Sequence, residues 1–143
     1  SLMRSNESQV QNAFDIVSGH DKRKVALLGL SFTAGTDDLR ESPAVEIARL
    51  LGERGAVVKA FEPLKPEAQF EGFETTLKLE SAFEEAEIIV ILVGHTRFKE
   101  LDPRQVAALT PARLVVDTRN ICDVAEWQAA GFRLVRLGDG KHI

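Results

Sequence analysis

An α/β sandwich built on a parallel sheet is predicted by two observations. Short apolar runs recur along the 143 residues, and stretches with helical spacing alternate with them. Strands that alternate with helices are joined by crossovers and so lie parallel. About five such strands are visible, which favours a doubly wound three-layer arrangement with helices on both faces.

The elements follow in order. Ser1-Leu2 before Met3 looks like a cloning scar, so residues 1–3 are set aside as scar or linker. Residues 4–17 read as a helix with no strand before it. Lys24–Gly29 is an apolar run ending in Gly, the pattern of a buried strand. Ser42-Pro43 then marks a helix start, with Ser at the N-cap and Pro at the first helical position. Ala44, Ile47, Ala48 and Leu51 repeat at helical spacing, and Gly55 ends the run.

Ala56–Phe61 is the second strand, closed by Glu62-Pro63. Phe73–Leu77 suits a short edge strand and Leu79–Glu85 a short helix, with Glu84, Glu85 and Glu87 at a solvated helix end. Glu87–Val93 carries the strongest buried-strand pattern. Phe98–Leu101 and Pro103–Leu109 read as helical pieces, Arg113–Asp117 as a strand ending in an acid. Val124–Ala130 is a helix closed by Gly131, and Phe132–Leu137 is the last strand. Trp127 is assigned to the core.

Composition removes several function classes. Net charge is −4, which gives no basic surplus for nucleic acid or an anionic membrane. No apolar run approaches the roughly 20 residues of a membrane span. A single cysteine, Cys122, excludes an intrachain disulfide and suits a cytoplasmic protein. No base accompanies it in the local sequence, so a packing role is expected. There is no paired Cys/His metal spacing and no P-loop. The first strand–turn–helix has Gly29 but lacks G-x-G-x-x-G, because Phe32 and Ala34 stand where a close approach to pyrophosphate needs Gly.

The chemistry-bearing residues fall in three loops, each directly after a strand: Ser31–Ser42, Gly94–Arg97 and Asp117–Asn120. In a parallel sheet these share one edge, where open α/β sheets bind ligands. Arg40 and Arg119 can then face one anionic ligand beside the helix that begins at Pro43. The alternative for Arg40 is a brace paired with Asp37 or Asp38, and for Arg119 a surface ion pair. His95 is either a ligand contact or a backbone cap.

The run Val25–Ala44, with Gly-Leu-Ser-Phe-Thr-Ala-Gly-Thr-Asp-Asp-Leu-Arg-Glu-Ser-Pro at Gly29–Pro43, resembles the signature of the C-terminal nucleotide-sugar-binding domain of the UDP-glucose/GDP-mannose dehydrogenase family. Val115-Val-Asp-Thr-Arg-Asn120 is similar to the family's second signature, an apolar strand ending in D-x-R. Gly94-His95-x-x-Phe98 resembles the H-x-x-F of the branch acting on UDP-N-acetylmannosamine, where glucose-type members tend to have W-x-x-F.

The resemblance implies a degenerate Rossmann-like domain that closes over a UDP-sugar. It implies that residues 4–20 end a helix from a middle domain, and that residues 21–143 form the C-terminal domain. Phe32, Thr33 and Arg119 match substrate-binding positions, and Arg40 matches an arginine that reaches NAD. The family usually has Lys where this chain has Thr33. NAD would be bound mainly by an N-terminal domain, and the catalytic Cys would belong to the middle domain, so Cys122 does not match it.

The expected function is therefore one domain of an NAD-dependent UDP-sugar 6-dehydrogenase, oxidising C6 to a carboxylate, with UDP-N-acetylmannosamine first and UDP-glucose second. By itself the domain would be inactive. The whole protein would serve polysaccharide biosynthesis as a homodimer or higher oligomer, its partners being the UDP-sugar and its own N-terminal and middle domains. The alternatives are a stand-alone nucleotide-binding module without catalysis and a protein-interaction domain whose loops brace the fold.

Overall fold

The computed structural model describes residues 11–12, 14–19, 23–30 and 42–137. Helical residues 14–19 (α1) lead into β1 (Lys24–Leu28), followed by α2 (Pro43–Glu53), β2 (Val57–Phe61), β3 (Glu74–Thr75), α3 (Leu79–Phe83) and β4 (Ile88–Ile91). Then come α4 (Thr96–Lys99), α5 (Pro103–Leu109), β5 (Leu114–Asp117), α6 (Val124–Ala129) and β6 (Arg133–Arg136). The strands form one sheet in the order β3-β2-β1-β4-β5-β6, and every adjacent pair is parallel. This is the doubly wound order, with its reversal between β1 and β4. The sheet has six strands where about five were expected, because the Phe73–Leu77 segment contributes a two-residue edge.

The strand pattern explains the layers. Side chains alternate across a sheet, so β1 sends Val25 and Leu27 to one face and Ala26 and Leu28 to the other. The first face is covered by Phe14 and Val17 of α1 and by Ala44, Val45, Ile47, Ala48 and Leu51 of α2. The second is covered by Leu79, Ala82 and Phe83 of α3, Phe98 of α4, Val106 of α5 and Trp127 of α6. Trp127 is 3% exposed and packs against Phe132 at 5.1 Å between ring centroids, the core role expected of it. Strand β4 is buried on both faces, as its unbroken Ile-Ile-Val-Ile requires.

Local chemistry sets the helix starts. Ser42 accepts the Ala44 N–H at 3.1 Å with Pro43 in the first turn, as the sequence indicated. Asp102 and Asp123 do the same for α5 and α6. The fourth helix begins two residues earlier than its apolar pattern suggested, at Thr96 rather than Phe98, because His95 serves as its cap.

Among the described residues no helix is long and apolar enough to cross a membrane. Nor is any cluster of His, Cys, Asp and Glu among them able to hold a metal ion.

Candidate functional site

The carboxyl edge of the sheet is built around the β1/β4 reversal. Gly29 leaves β1 with φ +97°, and a Cβ there would stand 2.5 Å from the Cβ of Val93. Only glycine fits this turn, and the close approach makes Gly29 and Val93 the floor of the crevice. The next residue, Leu30, is held at both backbone groups. Its N–H donates to Glu62 Oε1 at 2.7 Å, and its carbonyl accepts from the Ser42 hydroxyl. The loop between Leu30 and Ser42 therefore has its two ends tied together beside the start of α2.

Glu62 stands at the end of β2, where dinucleotide-binding folds place the acid that grips a ribose. Here it is 2% exposed, and its second oxygen accepts the Leu64 N–H at 2.9 Å. A carboxylate turned inward in this way braces the first loop. This role of Glu62 was not recognised in the sequence, where Glu62-Pro63 read only as a strand stop.

The loop after β5 is organised by one buried acid. Asp117 is fully buried, and its carboxylate accepts four backbone N–H groups: Arg119 and Asn120 on Oδ1 at 3.0 and 2.9 Å, Ile121 and Cys122 on Oδ2 at 2.8 Å each. Asn120 takes a positive φ of 61° to close the turn, and the Thr118 hydroxyl donates to the Ile91 carbonyl at 2.7 Å, tying the loop to β4. The result is a rigid platform that presents Arg119 to solvent. A Cβ on Gly94 would lie 3.7 Å from the Arg119 Cβ and 3.5 Å from Ile121, so the β4 and β5 loops are packed side by side.

The predicted residues separate as follows. Arg119 lies on the expected edge, next to the loop after β4. Phe32, Thr33 and Arg40 lie outside the described residues, as do residues 1–10 of the leading segment. His95 caps α4: its Nδ1 accepts the Arg97 N–H at 3.0 Å, and its ring lies 5.9 Å from Phe98. Cys122 is buried at 7% exposure, and its thiol is pushed far up by burial, then by the Asp117 carboxylate to which it hydrogen-bonds, with Arg136 opposing weakly. A thiol held protonated is no nucleophile, which supports the packing role.

One cation was passed over in the sequence. Arg97 lies with its guanidinium 4.8 Å from the ring centroid of buried Phe61, at the end of β2. Its position after Gly-His-Thr gave no sign of this contact, which depends on β2 and β4 flanking β1.

Two clefts among the described residues lie elsewhere. One of about 310 Å³ is lined by Val17, Ser18, Arg23, Leu51 and Arg54, and another of about 440 Å³ by Leu101–Arg104, Glu126 and Ala129. Neither adjoins the carboxyl ends of β1 and β4.

The chain is similar to known proteins along most of its length. The profile of the UDP-glucose/GDP-mannose dehydrogenase family, UDP binding domain, matches residues 26–124. GDP-mannose 6-dehydrogenase of Pseudomonas putida is 80% identical over 54 residues, 37% of this chain and 12% of that protein. UDP-glucose 6-dehydrogenase of Rickettsia conorii is 35% identical over 147 aligned positions, covering 96% of this chain and 34% of that protein. The solved ternary complex of GDP-mannose dehydrogenase from Pseudomonas aeruginosa is 30% identical with a TM-score of 0.66, covering 96% of this chain and 33% of that one. The chain spans about a third of the length of the relatives that it matches along most of its own length.

Proposed function

Because the chain belongs to the UDP-glucose/GDP-mannose dehydrogenase family as its UDP binding domain, we propose that it binds the nucleotide diphosphate of a sugar nucleotide for an NAD-dependent 6-dehydrogenase. The observation that carries this reading is the Asp117 platform, which fixes Arg119 beside the loop after β4. An arginine whose backbone is so held can offer a planar fork to a phosphate at the cost of ordering its side chain alone. Phe32 and Thr33 are assigned to the same substrate, and Arg40 to NAD across the closed cleft. Thr33 offers a hydroxyl where relatives present Lys, so the burden of phosphate charge falls more heavily on arginine.

The hydride acceptor NAD and the thiol that would carry the oxidised carbon belong to parts of the enzyme beyond this domain. This chain's own residues bind and orient. Holding the nucleotide far from C6 positions that carbon for reaction and helps to expel water as the domains close. The whole enzyme is proposed to be cytoplasmic, to form a homodimer or higher oligomer and to feed polysaccharide synthesis. Residues 4–20 are proposed to end the helix from its middle domain, with residues 21–143 the nucleotide-sugar domain.

For the sugar, GDP-mannose has the better support. The 54-residue stretch of 80% identity is to a GDP-mannose 6-dehydrogenase. The H-x-x-F spacing behind the UDP-N-acetylmannosamine expectation also has a fold role, since His95 caps a helix and Phe98 is buried. UDP-N-acetylmannosamine is the second reading and UDP-glucose the third. The test is NADH formation by the full-length enzyme against the three sugar nucleotides, together with titration of GDP and UDP against this chain and its Arg119→Ala variant. Weaker binding by the variant supports the site. Equal affinity in both proteins removes Arg119 from it, and binding without NADH formation from any sugar favours a non-catalytic module.

A further inference from the structure

We infer that Arg97 is a second diphosphate-binding residue of this edge, an inference that rests on the nucleotide-sugar reading above. Three observations place it there. The Arg97 N–H is fixed by His95 Nδ1 at 3.0 Å, so the backbone that launches the side chain is held. The guanidinium lies 4.8 Å from the Phe61 ring centroid. Phe61 is the last residue of β2 and pairs in register with Leu28, which on its other side pairs with Ile91 at the end of β4. Arg97 thus follows β4 in the chain while its guanidinium lies against the end of β2, and β1 stands between those two strands. The end of β1 is where doubly wound sheets bring a phosphate to the first strand–helix turn.

The way the guanidinium is held bears on what it does. An arginine paired with a carboxylate has its charge neutralised. Among the described residues no carboxylate is paired with Arg97, whereas Lys24 pairs with Glu85 and Arg49 with Glu46. Its partner is an aromatic face, which positions the group while leaving its charge unneutralised. The ring occupies one face of the plane, whereas the N–H donors lie in the plane and point outward. Arg97 is exposed, so these donors remain open to a ligand. Arg119 rises from the β5 side of the same edge, beside Gly94. A diphosphate carries charge enough for two cations, and the pair would approach it from opposite sides of the β1/β4 reversal.

The experiment is an NMR-detected titration of the 143-residue chain with GDP, UDP and the nucleosides guanosine and uridine. It compares wild type, Arg97→Ala and Arg97→Lys, with circular dichroism and thermal melting as controls on folding. Arg97→Ala should weaken GDP and UDP binding about tenfold, the scale of one charge-assisted hydrogen bond, and leave nucleoside binding unchanged. Its diphosphate affinity should also depend less steeply on salt. Arg97→Lys should fall between, since it keeps the charge without the planar fork. Equal diphosphate affinity in wild type and Arg97→Ala overturns the assignment, as does an equal loss for nucleosides and diphosphates, which would make the effect structural. Failure of the wild type to bind any nucleotide defeats the nucleotide-site reading itself and the role of Arg97 with it.

Discussion

The side chain of Glu62 holds the backbone N–H of Leu30 at 2.7 Å across 32 residues of sequence. The bond joins the end of β2 to the first residue pair after β1, so the loop that bears the family signature hangs from a buried carboxylate. The same carboxylate accepts the Leu64 N–H; the bond from Leu30 is buried and that from Leu64 partly so. Replacing Glu62 by Gln leaves one acceptor oxygen and turns an N–H₂ group towards the second donor. A loss of about 2–3 kcal/mol is expected, measured by urea unfolding followed through the fluorescence of the single tryptophan, Trp127.

Gly29 and Gly55 give a paired test of two separate costs. Both have positive φ, +97° and +95°, but a Cβ at Gly55 meets nothing within 4 Å, whereas one at Gly29 stands 2.5 Å from Val93 Cβ. Gly55→Ala should cost only the backbone term, about 1–2 kcal/mol. Gly29→Ala should cost that and a further 1–3 kcal/mol or so for displacing Val93. Chemical denaturation of the two variants reads the difference directly, and equal losses would show that the β1/β4 floor yields without resistance.

Asp117→Asn tests the platform. An amide keeps one carbonyl oxygen against four backbone N–H groups, two of which bonded to the oxygen that becomes nitrogen. Stability should fall by about 2–3 kcal/mol. The amides of Arg119, Asn120, Ile121 and Cys122 should exchange with solvent faster than in the wild type, and nucleotide affinity should drop in the same variant because Arg119 loses its fixed base.

Cys122 gives a pH signature. Its thiol is held protonated in the folded chain by burial and by Asp117, while in the unfolded chain it ionises near the ordinary value of about 8.5. The folded-state value is the higher of the two, so this contribution to stability is complete below about pH 8.5 and is lost as pH rises beyond it. Stability measured from pH 8 to 10.5 should decline less steeply in Cys122→Ala than in wild type. In the native protein the thiol should resist a disulfide reagent until the chain unfolds.

The order of elements was legible because each depends on local pattern. The unbroken apolar run Ile88–Ile91 had to be buried on both faces, and Ser42-Pro43 had to open a helix. The placement of Arg119 followed from topology, since a residue just after a parallel strand lies at the carboxyl edge. What was hidden depends on contacts between distant segments. Glu62 gave no sign that it would reach Leu30, and Arg97 none that it would lie on Phe61, because both contacts exist only once β2, β1 and β4 stand side by side. For His95 the sequence offered a ligand contact or a backbone cap, and the structure shows the cap, since a loop imidazole two residues before a backbone N–H satisfies the helix start as a carboxylate does.

The central position of β1 also bears on how the molecule comes into being. Its partner on one side, β2, is made soon after it, but its partner on the other begins only at Ile88. While a ribosome is still extending the intervening stretch, the Val-Ala-Leu-Leu backbone has one bare hydrogen-bonding flank that another nascent chain can occupy. Maturation should therefore be gated by the late arrival of β4, and conditions that slow translation between residues 61 and 88 should increase the fraction lost to aggregation.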